Sequence, residues 1–483
     1  MSVKKNFIYN TIYQIFIVLL PIITVPYISR VLGPNGVGDY SYTAAYAQYF
    51  VLLGMTGISI YGNRQIAYKK NNIKDLSKEF FSIYGLQLVT TTISLFIYIL
   101  IFVVFNKENR ILYLVQSIII LATIFDISWF FIGYEDMKSV VVRNTIVKII
   151  GVISIFIWVK KPSDVIVYSV IIAGSNFIGQ IIMWLNLKGK VIFCEFNFNK
   201  SIKHLKPAII LFIPLLAIQI YTLLDKTMLG AMTNVSQVGL YENSQKTIKL
   251  ALTLVTSLGT VMLPRMSSLY SEGRLNKLKN TIYKSFDFVN FMVFPMTFGL
   301  IAISNNFSKW FYGETFNGIN ILLKVGSFLM IAIGWGSVLG PQVLIPMKKE
   351  KEYTISIMLG AMINFVLNII FIKKFQAVGT TVSSVIAEFS VTGIQMYYLR
   401  NILNTKTIIN GIIKPLISSI IMFVIITMNT VFFNDAIIDT IIQILIGVSV
   451  YLLVMYLLKD NFIKEGIGII RNKIIQNKLT KRG

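Results

Sequence analysis

Residues 37–64 read VGDYSYTAAYAQYFVLLGMTGISIYGNR, and residues 238–265 read VGLYENSQKTIKLALTLVTSLGTVMLPR. Both open on Val-Gly-x-Tyr and both close on an arginine, at a constant offset of 201 residues. Each holds a largely apolar run of about 20 residues, the length that crosses ~30 Å of hydrocarbon as a helix. A second echo follows at an offset of 210, where Met137-Lys138 is answered by Met347-Lys348. The pattern reads as a duplicated bundle of membrane helices, a common signature of transporters.

Working outward, apolar runs recur along the whole chain. Of its 483 residues, 55% are hydrophobic and 14% charged, with a mean hydropathy of +0.70. A soluble globular chain has about 45–50% apolar and about 25% charged residues. Disordered proteins, disulfide scaffolds and ordinary cytosolic enzymes are excluded. Cys194, the single cysteine, has no internal partner to oxidise with.

The reading is an all-α, polytopic membrane protein with fourteen spans: 7–29, 40–60, 80–105, 111–132, 145–159, 165–187, 208–229, 240–263, 286–303, 321–344, 354–371, 380–398, 416–432 and 440–458. Spans 1–6 and 7–12 form two six-helix lobes, residues 1–200 and 201–400. Residues 401–483 add two helices and a basic tail. An even number of spans per copy gives both lobes the same orientation, related by an axis along the membrane normal, with a cleft between them. The longest outside loop spans 304–320, so chemistry is expected within the membrane. The start of the chain does not read as a cleavable signal.

The net charge of +24 admits two explanations, nucleic acid or membrane topology, and position decides. Of the 45 Lys and Arg, 32 fall in segments on the N-terminal side of alternate spans and 8 on the other side. Five lie within spans: Lys148, Lys226, Lys246, Lys249 and Lys324. Such a bias marks cytoplasmic loops. It puts both termini in the cytoplasm and removes the reason to invoke nucleic acid. From 463 to 474, isoleucines at 463, 467, 470 and 474 suit either a basic amphipathic helix on the inner leaflet or a solvated tail. His204, beside Lys203 and Lys206, reads as solvated surface.

Ionisable groups in hydrocarbon cost ~2.5–3.5 kcal/mol each on insertion scales and so point to function. In the eighth span Glu242, Lys246, Lys249, Thr253, Thr256 and Thr260 are spaced 4, 3, 4, 3, 4 and share one helix face. Such a stripe lines a hydrated cleft, or Glu242 pairs structurally with Lys246. Asp225 and Lys226 lie near the outer end of the seventh span. Asp126 and Lys148, read towards the inner half of the fourth and fifth, form a further candidate pair. Gln14 lies on the polar side of the first span and Glu388 in the twelfth. Lysines suit an anionic substrate, with Lys246 and Lys249 as principal contacts and Lys226, Lys148, Glu242, Thr253 and Gln14 assisting. Asp126, Asp225 and Glu388 are the carboxylates able to carry a coupling ion. No Walker motif and no cofactor signature is present, so an ion gradient or the membrane potential would drive transport.

Several stretches resemble the Wzx-type polysaccharide flippases of the multidrug/oligosaccharidyl-lipid/polysaccharide superfamily. They are Leu32-Gly33-Pro34 with Gly36 to Tyr42, Asp126 to Lys138, Leu224-Asp225-Lys226 with Leu229-Gly230, Val238 to Lys246, Met262 to Arg265 and Gly379 to Glu388. The resemblance implies two lobes working by alternating access and export of undecaprenyl-pyrophosphate-linked repeat units for capsule or O-antigen. The lipid bilayer, a coupling H+ or Na+ and other polysaccharide-assembly membrane proteins would be its partners, in a bacterial plasma membrane. Relatives that flip the peptidoglycan precursor place arginines in the first span, whereas this chain has no Lys or Arg between Lys5 and Arg30. The alternatives are a drug/ion antiporter of the same superfamily, or an integral-membrane polymerase or acyltransferase.

Overall fold

The computed structural model describes residues 3–106, 108–194, 198–428, 436–460 and 462–464; at 3–18, 198–199, 213–215, 217–218, 258, 260 and 261 it describes the helical backbone alone. Among these residues there is no strand. The helices are α1 (Val3–Met55), α2 (Ile58–Lys69), α3 (Ile73–Tyr98), α4 (Arg110–Ile124), α5 (Ser128–Gly133), α6 (Met137–Trp158), α7 (Val165–Leu185) and α8 (Phe198–Lys203). They continue with α9 (Leu205–Met232), α10 (Val235–Ser271), α11 (Leu275–Tyr312), α12 (Ile319–Gly326), α13 (Phe328–Ser337), α14 (Glu350–Leu399), α15 (Thr405–Met428) and α16 (Ala436–Leu457). Eleven segments are long and apolar enough to cross a membrane. The two longest each contain a break, and α9 covers the expected seventh span. The chain divides into two compact units, Met1–Glu242 and Asn243–Gly483.

In the first unit, α1 breaks at Gly33, whose φ of 65° and ψ of −179° belong to glycine alone. That break separates the first two expected spans. Asn72 caps α3, its Oδ1 accepting the N–H of Lys74 and Asp75. A gap at Phe125–Ile127 separates α4 from α5. There Gln87 of α3 supplies what the broken helix lacks: Nε2 donates to the carbonyls of Thr123 (2.8 Å) and Asp126 (2.9 Å), and Oε1 accepts the Trp129 indole N–H (2.9 Å). Phe80, Trp129, Phe130 and Phe131 pack around this joint as the core.

Helix α6 begins at Met137, eight residues before the expected span at 145. Asp136 caps it, accepting from the Ser139 N–H and hydroxyl. Its polar first turns look like loop by hydropathy, but the cap and the burial of Arg143 make them helix. The shift corrects the depth of Lys148, which is the twelfth of 22 residues and so at mid-helix rather than towards the inner end.

In the second unit, α11 continues to Tyr312, shortening the expected loop at 304–320 to a turn before α12. Trp310 at its end donates to Thr440 of α16 (2.9 Å), and Tyr451 of α16 donates to the Phe291 carbonyl (2.9 Å). These bonds fasten the last two helices to α11. Helix α14 breaks at Gln376 (φ 51°, ψ −128°), between the eleventh and twelfth expected spans. The core is built on Phe286, Val289 and Val293 of α11 against Ile331, Val338 and Leu339. Most of the isoleucine-spaced tail, residues 465–483, lies outside the described residues.

Candidate functional site

Helix α10 carries the whole polar stripe. Ile248, Leu252 and Val255 on another face are buried, while Lys249 and Thr253 are exposed and Lys246 half-buried. Thr253 and Thr256 donate to carbonyls of their own helix, at Leu250 (2.6 Å) and Leu252 (3.1 Å). Their polar atoms are thus compatible with a long apolar helix. The Glu242 carboxylate takes Lys226 of α9 at 2.6 Å. Beside that pair, the Tyr241 hydroxyl donates to Asp225 Oδ2 at 2.6 Å, with Asp225 only 2% exposed. Two consecutive residues of α9 therefore engage two consecutive residues of α10.

This corrects the reading of Glu242 with Lys246. Residues four apart on a helix are neighbours at the surface, but Lys226 reaches Glu242 from a packed helix. Lys226 is accordingly part of an ion pair and not a snorkelling lysine.

The remaining expected site residues are dispersed. Asp126 Oδ1 accepts the Ser128 N–H (2.9 Å), so it caps α5 instead of meeting Lys148. Lys148 lies in the wall of a cavity inside the first unit. Glu388 is half-buried in α14, one turn after Ser384, whose hydroxyl donates to the Thr380 carbonyl (2.9 Å). The Gln14 side chain is outside the described residues.

A groove of about 380 Å³ runs through the second unit. Thr247 and Ala251 of α10, Pro295 and Gly299 of α11, Met422 of α15 and Gly447 of α16 form its walls, which are nearly all apolar. The Thr247 hydroxyl is taken up by the Tyr312 hydroxyl. Helix α10 thus presents two lysines on one side and an apolar groove on another.

Three features were not legible as site elements. Arg143, counted with the inside loops, is 6% exposed; Nη1 donates to Gln180 Oε1 (2.9 Å) and Nη2 to Ser128 Oγ (2.8 Å). The α5–α6 loop is gripped from two sides. Lys70 meets Glu135 at 2.6 Å, and Lys190 meets Asp136 while standing 4.7 Å from the Phe131 ring centroid. Burial pushes the Asp136 carboxyl up, but the bonds from Lys190 and Ser139 outweigh it and hold it below the usual carboxylate range. His204 is not solvated surface: Nδ1 meets the Tyr61 hydroxyl (2.8 Å), Nε2 the Ser82 hydroxyl (3.0 Å), and Glu79 stands 3.8 Å away. Burial lowers its pKa, and Glu79 opposes the shift only in part.

Comparison with known proteins gives consistent relatives. The family model described as polysaccharide biosynthesis protein matches residues 3–270, and that described as lipid II flippase MurJ matches residues 137–451. A protein named as an O-antigen transporter of Escherichia coli (strain K12) is 24% identical over 415 residues, covering 83% of this chain and 97% of the relative. One from Shigella dysenteriae is 26% identical over 392 residues, covering 80% and 97%. The solved structure of lipid II flippase MurJ in an inward closed conformation superposes with a TM-score of 0.79 at 18% identity, covering 95% of this chain and all of that one. An inward-facing multidrug resistance MATE family transporter of the MOP superfamily gives 0.61 at 10% identity, covering 85% and 96%. At such identities the structures speak for fold alone.

Proposed function

We propose that the chain, which belongs to the polysaccharide biosynthesis protein family, is a flippase for undecaprenyl-pyrophosphate-linked oligosaccharide repeat units. The observation that carries this reading is the two-sided character of α10. Lys246 and Lys249 on one side suit a diphosphate, for which lysine acts as a point charge. The apolar groove flanked by Thr247 and Ala251 suits a prenyl chain. A lipid-linked glycan combines both chemistries in one molecule. The relatives that span nearly the full length of this chain carry the name O-antigen transporter, which favours capsule or O-antigen units over the peptidoglycan precursor.

The two six-helix lobes alternate access, with the head group entering from the cytoplasm and the chain remaining in lipid. The protein resides in a bacterial plasma membrane with both termini cytoplasmic, as the lysine and arginine bias favours. A gradient of H+ or Na+, or the membrane potential, drives the cycle. Among the three candidate carboxylates, Glu388 is the one not already committed to a helix cap or a tyrosine hydroxyl bond.

The test is transport by the purified protein in vesicles, using a labelled polyprenyl-diphosphate glycan and, separately, an organic cation. Glycan movement that falls at least tenfold in Lys246→Ala/Lys249→Ala, with normal membrane insertion, supports the reading. Movement of the cation alone would replace it with the antiporter reading, against which two lysines in the path already argue. Full glycan transport by the double variant would remove the site assignment.

A further inference from the structure

The first unit contains a cavity of about 340 Å³ between α1, α6 and α7, formed wholly within that unit. Its polar lining is Thr24, Lys148, Tyr168, Ser175 and Asn176, and no lining residue is acidic. Lys148 lies on the opposite side of α6 from the exposed Ile146, Ile150, Ile153 and Ile157. The ammonium therefore points into the bundle and away from lipid. Lys148 and Ser175 are both at the middle of their helices, the twelfth residue of 22 and the eleventh of 21. Transporters tend to hold substrate at that depth. An ammonium there carries an insertion cost, which a bound anion would offset.

Size and charge restrict the occupant. About 340 Å³ is at the lower end of the ~300–1,000 Å³ range of small-molecule sites, room for a single ring. One lysine matches one negative charge, whereas a diphosphate calls for the two lysines of α10. The Tyr168 ring, held edge-on by Tyr40 with centroids 4.8 Å apart, offers a flat face for the C–H face of a sugar. Asn176 and Ser175 supply hydrogen bonds for hydroxyls. Gly151 keeps α6 near α7: a Cβ there would stand 3.3 Å from Ser175 Oγ, so any longer side chain would enter the cavity.

We propose that this cavity is a subsite for one carboxylate-bearing pyranose residue of the transported glycan, with Lys148 as the residue that selects the acid. The proposal rests on the flippase reading and adds a substrate class to it.

The experiment uses the full chain in vesicles and two polyprenyl-diphosphate disaccharides that differ only in a terminal glucuronate or glucose. The wild type is expected to move the acidic glycan at least tenfold faster. Lys148→Gln should abolish that preference and leave the neutral glycan unchanged, while Lys148→Arg should retain much of it. Equal slowing of both glycans by Lys148→Gln would reassign Lys148 to the diphosphate or to the fold, and no effect on either would also overturn the subsite. A second arm measures thermal stabilisation of the purified protein by methyl glucuronide against methyl glucoside. Glucuronide-specific stabilisation lost in Lys148→Gln, with neither glycan moved, would uphold the subsite and sink the flippase reading. Equal stabilisation by both glycosides would sink the subsite alone.

Discussion

Gly38 and Gly239 meet back to back: a Cβ added to Gly38 would stand 3.1 Å from Gly239 N and overlap the Val235 carbonyl oxygen. A Cβ on Gly239 would stand 3.0 Å from Gly38 N and overlap the Pro34 carbonyl oxygen. Pro34 and Val235 are themselves separated by 201 residues, the offset of the two Val-Gly-x-Tyr motifs. The contact is therefore self-complementary under the sequence repeat, as an interface about a two-fold axis must be.

Alanine at either glycine is accordingly expected to be damaging, because backbone cannot rotate out of the way as a side chain can. Overpacking costs typically ~1–3 kcal/mol. Gly38→Ala and Gly239→Ala should each lower the melting temperature in detergent and cut transport roughly tenfold. Gly174→Ala, where an added Cβ meets nothing within 4 Å, is the control and should be neutral. Normal melting and transport in both glycine variants would show that the helices separate freely there.

The Lys226–Glu242 pair makes a different prediction. Both side chains are largely buried, at 22% and 12% exposure. Removing one partner of a buried pair leaves an uncompensated charge, at a cost of ~3–5 kcal/mol; residual exposure places this pair at the lower end. Lys226→Ala or Glu242→Ala should each destabilise strongly. The double variant Lys226→Leu/Glu242→Leu should recover most of the loss, because it buries no charge. A double-mutant cycle on thermal unfolding measures the coupling, and additive losses would mean the two charges act independently.

These two relationships also show what the sequence reveals. The repeat was legible because it is a pattern of apolar runs and small motifs at one offset, and its contact follows from symmetry. The pairing of Glu242 was not, because its partner lies 16 residues back on another helix while a lysine at i+4 satisfies the local rule. Arg143 was misread for a related reason. Hydropathy treats an arginine near a span boundary as loop, and only Ser128 and Gln180, on two other helices, reveal why it stays buried. The helix breaks divide similarly: Gly33 sits in a Gly-Pro stretch, whereas nothing local marks Gln376 as the residue at positive φ.

His204 should impose a pH dependence on stability. Its folded pKa lies below the ordinary histidine value of about 6.5. The unfolded chain therefore takes up the proton first as pH falls. Stability is fully present above about pH 6.5 and declines below it, until the folded state also protonates. Thermal unfolding of the purified protein at pH 7.5 and 5.5 should show a lower melting temperature at the acid pH. His204→Gln, which keeps hydrogen-bonding capacity without titrating in this range, should flatten that difference. An identical slope in the variant would assign the effect to other groups.

Arg143 tests whether its buried forked contact holds the bundle or only decorates it. Its guanidinium joins α5 through Ser128 and α7 through Gln180, while Asp126 caps α5 two residues before Ser128. Hydrogen bonds to charged groups contribute ~1.5–3 kcal/mol each. Arg143→Met fills similar volume without charge, leaves Ser128 and Gln180 short of a partner, and should destabilise by about 2 kcal/mol. Arg143→Lys keeps the charge but has a single nitrogen where two diverging donors are needed, so it should be no better than Met and, carrying a buried charge with fewer bonds, worse. Expression level and melting temperature in detergent rank the three proteins. Lysine rescuing wild-type stability would show that charge alone matters there, and that the fork geometry does not.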